Sequence, residues 1–516
     1  MNAPTLIGFT INTNGGDLAQ TALTHVLMND FTVDGANNIQ MREVANEFEL
    51  ITITDTNDVT IRDAGLMDLG RIQVNNDAEF ENDGDMTLTD VFEIGGNVLL
   101  NANFGDIIQE TDAPLFVTGE TNLKSNHSTR GIDLGFGDGD GDGLNDNDFV
   151  GHVNVLQGAA IEIVDVNNLL IGDVNTHESA DPEVFQLYVE AQNGSVTFDG
   201  VVEVEGSAVT EGKVIVRATN GAAETSRGRI TTDGIILIGE GDFIFDQPNE
   251  IFDQDAPSVG RISADISGNL IFNNELALQV SRNSYETLNP NTTVGINSLK
   301  IRQLPDGSAG NLTITTSDDD VTQSSLAPVI VETLTTIDIG TGSITWENGD
   351  ELGNLKNDND WATLTIVNAT NASFVDENSL IISDINATGN ARFQAENDNA
   401  LFLDGNIIVG GNVLFQSDIG ASQLSGSVQA AGLMASGSGD FLFSLNNQIG
   451  DLTTAGNVAA NLRAGEFMLD NLNGIQVTTL SAFGETLVGI DGFQVDKTRL
   501  RGSDIQINQV LNATDV

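Results

Sequence analysis

A three-residue phrase returns along this chain, and its return limits the fold more than any single residue does. It reads asparagine, then an acidic or amide residue, then a large apolar residue. Copies stand at Asn46-Glu47-Phe48, Asn147-Asp148-Phe149, Asn249-Glu250-Ile251, Asn359-Asp360-Trp361 and Asn447-Gln448-Ile449. Successive copies lie 101, 102, 110 and 88 residues apart. Near-fixed self-similarity marks a repeat architecture, in which each unit buries its apolar face only against its neighbours.

Between the copies, helical periodicity is scarce. The texture is short apolar/polar alternation closed by Gly, Asn or Asp, as in Val59-Thr60-Ile61-Arg62, Lys213-Val214-Ile215-Val216-Arg217 and Thr363-Leu364-Thr365-Ile366-Val367. Alternation means a strand with one buried face. Many short strands fit a sandwich, a barrel or a solenoid. The long-period self-similarity, with no linker separating the copies, decides for the solenoid.

Other phrases recur in phase. A Gln phrase stands at Gly16-Asp17-Leu18-Ala19-Gln20, Gly105-Asp106-Ile107-Ile108-Gln109, Val321-Thr322-Gln323 and Ala421-Ser422-Gln423. An Asp/Asn phrase follows each Asn copy, beginning at Asp63, Asp165, Asn273, Asp376 and Asp470. Stacked coils place equivalent turn residues above one another at about 4.8 Å. Asn tolerates turn geometry and can bond the next coil through its amide. The Asn phrase is therefore expected to turn the chain and drop its apolar residue into the core. At roughly 20 residues per coil, the chain holds about 25 coils. At ~4.8 Å per coil that makes a rod of roughly 120 Å.

Bulk composition agrees. The chain has 516 residues, 40% apolar, with 55 Gly to serve turns and only 8 Pro, too few for a Pro-rich stalk. Its formal net charge is −57, from 76 acids against 19 bases. Nucleic acid and anionic membrane surfaces need a basic partner and are excluded. The acids fit three roles: solvating a long surface, binding Ca²⁺ or suiting a salty medium. There are no cysteines, so disulfides, zinc–thiolate sites and thiol catalysis are absent. Such a chain is easily exported unfolded. The N-terminal MNAPTLIGFTINTNGG has no charged n-region and no long apolar run, so it does not read as a signal peptide. The repeat texture continues to the C-terminus, and the chain is expected to be a segment of a larger protein.

Three segments carry a resemblance. They are Gly105-Asp106-Ile107-Ile108-Gln109 with Pro114-Leu115-Phe116-Val117-Thr118-Gly119, Asn147-Asp148-Phe149-Val150-Gly151-His152-Val153-Asn154-Val155, and Asn447-Gln448-Ile449-Gly450-Asp451-Leu452. Together they resemble the passenger repeats of filamentous haemagglutinin-like adhesins and related autotransporter-type surface proteins. The likeness covers nearly the whole chain and is one of coil-building texture. It implies a right-handed parallel β-helix displayed outside the cell or at its surface, often for attachment. The family's N-terminal export segment and membrane anchor are expected to lie outside this segment.

The sharpest local motif is Asp138-Gly139-Asp140-Gly141-Asp142-Gly143-Leu144-Asn145-Asp146-Asn147-Asp148. Carboxylates at Asp138, Asp140 and Asp142, Gly143 for the sharp turn, the Leu144 carbonyl and Asp146 match the start of an EF-hand-type Ca²⁺ loop. Phe149 stands where the usual bidentate Glu would be, and Asp148 can substitute for it. The alternative is a solvated acidic loop. Residues 131–148 read as an insertion ahead of the second Asn phrase. Asp318-Asp319-Asp320 and Asn357-Asp358-Asn359-Asp360 read as solvated turns.

Enzyme motifs are poor. The glycines of 135–143 lack a following Lys and helix, and no Gly-x-Ser-x-Gly elbow occurs. His25, His127, His152 and His177 form no ligand pair and read as surface or turn residues. Bases are scattered, apart from Arg227-Gly228-Arg229 and Arg499-Leu500-Arg501. Trp346, Trp361, Tyr188 and Tyr285 are too few for a run of sugar platforms.

The expectation is thus one continuous all-β solenoid over 1–516, a right-handed parallel β-helix with super-repeats beginning near 46, 147, 249, 359 and 447. It would be a non-enzymatic rod presenting loops to a host or neighbouring-cell surface, a glycan or a matrix ligand, with one structural Ca²⁺ loop. The alternatives are a carbohydrate-active β-helix enzyme and a Ca²⁺-stiffened surface-layer or biofilm component.

Overall fold

The structure, a computed structural model, describes residues 9–22, 24–126, 131–135, 146–176, 185–204, 206, 211–252, 259–287, 292–308, 310–347, 359–451, 453–491 and 495–508. Strands are the only regular secondary structure among them, most 3–10 residues long. The fold is an all-β parallel solenoid. Chain contacts divide it into two compact units, Met1–Gly260 with Ser284–Gly295, and Arg261–Asn283 with Ile296–Val516.

In the first unit the alternation does what it must. In Val98–Ala102, Val98, Leu100 and Ala102 are buried while Leu99 and Asn101 are half-exposed. Parallel pairing stacks the inward residues of successive coils into columns. One runs Met67, Met86, Ile107, Ile132, Ile161, Leu187, Val214, Ile235, all fully buried. A second runs Ile39, Val59, Ala78, Val98, Thr121, Val153, Ile171. A third runs Val33, Ile53, Ile72, Phe92, Leu115. In the first column the shortest coil, Met67 to Met86, takes 19 residues and the longest, Ile132 to Ile161, takes 29. Register within these strands is kept, so the extra residues fall between strands.

Some turns stack closer than a side chain allows. A β-carbon on Gly105 would lie 2.1 Å from the Gly84 carbonyl carbon, and one on Gly84 would lie 2.7 Å from the Gly65 oxygen. Neither glycine has positive φ, so space, not conformation, demands them.

The second unit repeats the plan with a heavier core. Trp346, Phe374, Phe393 and Phe415 stack in register, with ring centroids 5.7, 6.3 and 6.0 Å apart. Trp361 lies parallel to Trp346 at 5.9 Å. Pairs of this kind add about 0.5–1.5 kcal/mol beyond the area they bury. On the outer face, Leu414, Met434 and Ala459 would meet solvent. An antiparallel ribbon, Thr479–Ala482 with Glu485–Val488, covers them through Leu480, Ala482 and Leu487. The first unit has a comparable cover, where Tyr285 packs on outward-facing Tyr188 at 5.6 Å.

Candidate functional site

The three recurring phrases meet in space as one hydrogen-bonded clamp spanning three consecutive coils. Its second copy is the fullest. Gln109 ends the strand Ile107–Gln109, Asn147 follows the strand of the next coil, and Asp165 ends the strand Ala160–Asp165 in the coil after that. Asn147 Oδ1 accepts from Gln109 Nε2 at 2.6 Å and from the Leu115 backbone N–H at 2.8 Å. Its Nδ2 donates to Gln109 Oε1 at 3.0 Å and to the Leu134 and Val164 carbonyls at 3.0 and 3.3 Å. Its own carbonyl accepts from Val166 N–H at 2.8 Å. The Asp165 carboxylate accepts from Phe149 N–H at 2.7 Å and Asn167 N–H at 2.5 Å. Phe149, two residues past Asn147, is thereby held in the core.

The same set recurs at Gln20, Asn46 and Asp63, with Phe48 buried, and at Gln323, Asn359 and Asp376, with Trp361 buried. Asn359 is fully buried, which corrects its reading as part of a solvated turn: its amide is spent on Gln323, Val329 and Val375. Asp318 and Asp320 do sit at turns, where they accept from Thr341 and Ser343 N–H of the following coil.

Two copies vary chemically. At Gln423 and Asn447 the third member is Asn471, whose Oδ1 accepts from Ile449 N–H at 2.7 Å. At Asn249 the glutamine is replaced by Glu224. Asn249 Nδ2 donates to Glu224 Oε2 at 3.1 Å, and Gln247 N–H donates to the same oxygen at 3.2 Å. Glu224 Oε1 is buried and accepts no hydrogen bond. It occupies the place where glutamine carries an NH₂, so a protonated carboxyl suits it. Burial pushes Glu224 up to about 8, Asp165 and Asp376 to about 7, and Asp63 to about 6.

Of the six residues matched to a Ca²⁺ loop, Asp138, Asp140, Asp142 and Leu144 lie outside the described residues. Gly131–Leu134 is an in-register strand, so the insertion proper begins beyond it. Asp146 and Asp148 are half-exposed on either side of buried Asn147, and Asp148 pairs in register with Phe116. Among the described residues there is no group of three or more His, Cys, Asp or Glu placed to hold a metal ion.

The first unit has one feature that no motif announced. A polar groove of about 320 Å³ crosses its outer face at His152, Asn154, Asp173, Asp199 and Arg227. His152 Nε2 meets Asp199 Oδ2 at 3.0 Å, two coils away. It reaches over Gly172, which leaves the intervening coil bare. The Thr225 hydroxyl donates to Asp199, and Arg227 Nη1 stands 3.9 Å from it. The Thr225 and His152 bonds, followed by the Arg227 charge, hold the Asp199 carboxyl below its usual range. His152 is a half-exposed surface residue, as read from the sequence, and is held in place by Asp199. Beside it, Asn154 Nδ2 donates to Asn122 Oδ1, Asp173 N–H donates to Asn154 Oδ1, and Val201 N–H donates to Asp173 Oδ1, at 3.1, 3.1 and 3.0 Å. The four aromatic residues weighed as sugar platforms, Trp346, Trp361, Tyr188 and Tyr285, are all buried.

No protein-family model, no curated protein and no solved structure matches the chain.

Proposed function

We propose that this chain is a non-enzymatic attachment scaffold, a segment of a larger secreted or cell-surface protein. The observation that supports the reading is the clamp. The asparagine of all five copies, with its Gln or Glu partner, is spent on tying coil to coil. Repetition here builds a support, while outward-facing residues are left to vary. The resemblance to haemagglutinin-like passenger repeats points the same way, toward a glycan or matrix ligand on a host or neighbouring cell. The loop at Asp138, Asp140, Asp142, Leu144, Asp146 and Asp148 belongs to this reading as a structural Ca²⁺ site. Asp146 and Asp148, exposed enough to reach an ion, fit that donor set.

The test is attachment of the purified chain to cultured cells and extracellular-matrix extracts, run beside a screen for polysaccharide cleavage. Saturable attachment without cleavage is expected. Turnover of a polysaccharide, or no attachment to any surface, overturns the reading.

A further inference from the structure

We infer that the groove around His152 is a binding site for a neutral oligosaccharide. The inference deepens the attachment reading by naming a ligand class and a place. Its polar groups are arranged before any ligand arrives. Asp199 is fixed by Thr225, His152 and Arg227, and Asn154 is fixed between Asn122 and Asp173. Fixed side chains have little rotamer freedom left to lose on binding.

These groups still have capacity. Asp173 uses one carboxylate oxygen on Val201 N–H and has the other, and Arg227 is 74% exposed with its remaining N–H groups facing water. The groove therefore offers both an open acceptor and open donors. A sugar hydroxyl, which both donates and accepts, suits that mixture better than an anion or a cation does.

Gly172 and Gly200 line the groove and are both buried: a β-carbon on Gly200 would lie 2.3 Å from the Gly172 carbonyl carbon, and the β-position of Gly172 is taken by Asn154 Oδ1. The groups a ligand can reach are therefore the polar side chains around these two glycines. On one side Leu156, 52% exposed, supplies an apolar surface for the C–H face of a sugar ring. Coils repeat at about 4.8 Å, close to the length of one hexose, so a glycan laid across the coils meets a new row of polar groups per sugar.

Charge selects within the glycans. Glu120, Asp173 and Asp199 face Arg227 and His152 in the groove, and the chain carries −57 overall. An acidic polysaccharide is repelled on approach.

The experiment is saturation-transfer NMR on the full chain with neutral gluco-, galacto- and N-acetylhexosamine tri- to hexasaccharides and, beside them, uronic-acid oligomers. Variants are Asp173→Ala and Arg227→Ala, both at exposed positions, with circular dichroism and thermal unfolding confirming the fold. At least one neutral series is expected to bind, and each variant to weaken it about tenfold, the loss of one or two hydrogen bonds. No neutral binding, a preference for uronic acids, or binding indifferent to both variants overturns the inference. Cell attachment that survives both variants removes the groove and leaves the scaffold reading. Sugar binding without cell attachment does the reverse.

Discussion

Gln109 and Asn147 exchange two side-chain hydrogen bonds, at 2.6 and 3.0 Å, across 38 residues of chain. Both amides are buried, so neither can turn to water if its partner is lost. Replacing Asn147 by Leu breaks both of its bonds to Gln109, whose Nε2 keeps the Ala113 carbonyl at 2.7 Å, and takes the acceptor from the Leu115 N–H. The expected cost is about 3 kcal/mol, read as a lower denaturant midpoint. Gln109→Leu costs a similar amount. The double variant costs less than the sum, because each single change already breaks the shared pair. Strict additivity would show that the two amides act independently.

The buried acids give the protein an acid-favoured stability. The Asp165 carboxyl ordinarily titrates near 3.8 and is pushed up to about 7 in the fold. Between those values the folded chain keeps a proton that the unfolded chain releases, so stability falls as pH rises through that window and is flat above it. The full effect of such a rise is of order 4 kcal/mol. Asp376 and Asp63 act in the same direction. Unfolding midpoints measured from pH 4 to 9 should decline, and Asp165→Asn should flatten the decline, since the Asn471 copy has no proton to lose. A midpoint that rises with pH across this range contradicts the assignment.

Glu224 offers the cleaner version of that test. It stands where the four other copies have glutamine, and its folded value is about 8. Glu224→Gln should leave stability unchanged at pH 5 and raise it at pH 9, where the native carboxyl is ionised beside Asn249. Equal midpoints at both values would mean that Glu224 is not acting as a protonated glutamine.

Gly105→Ala places a methyl group 2.1 Å from the Gly84 backbone. Neither backbone can retreat without opening the coil stack, so a loss of about 2–3 kcal/mol is expected from overpacking. Gly307→Ala, at an exposed turn with positive φ and open space around its β-position, is the comparison. It should cost only backbone strain, about 1 kcal/mol.

Millimolar Ca²⁺ should raise the thermal midpoint of the native chain, and Asp140→Asn with Asp142→Asn should abolish the rise. A midpoint indifferent to Ca²⁺ in the native chain removes the metal from the functional reading and leaves the solenoid untouched.

Strands were legible in the sequence wherever alternation was clean. Val59-Thr60-Ile61-Arg62 reads as a half-buried strand and lies within Asp58–Asp63. The Asn, Gln and Asp phrases were each visible, and so was their phase. Their union was not, because partners are separated by 26 residues at Gln20 and Asn46 but 38 at Gln109 and Asn147. Turn insertions change the spacing along the chain without changing the spacing across coils. The groove was hidden for the same reason. His152 and Asp199 are 47 residues apart, with no motif between them, and only coil register brings them together. Glu224 escaped notice because its phrase lacks the glutamine that marks the others.

A clamp recurs only once in several coils, and between clamps the coils are held by the parallel backbone ladder, apolar columns, close-stacked turns and single turn bonds such as those of Asp318 and Asp320. In a stack stabilised by nearest neighbours, fraying spreads from coil to coil until it meets a stronger joint. The Gln–Asn–Asp sets are such joints. They divide each unit into watertight compartments, so that a nick or a mechanical tear in one stretch ends at the next bulkhead instead of running on along the stack.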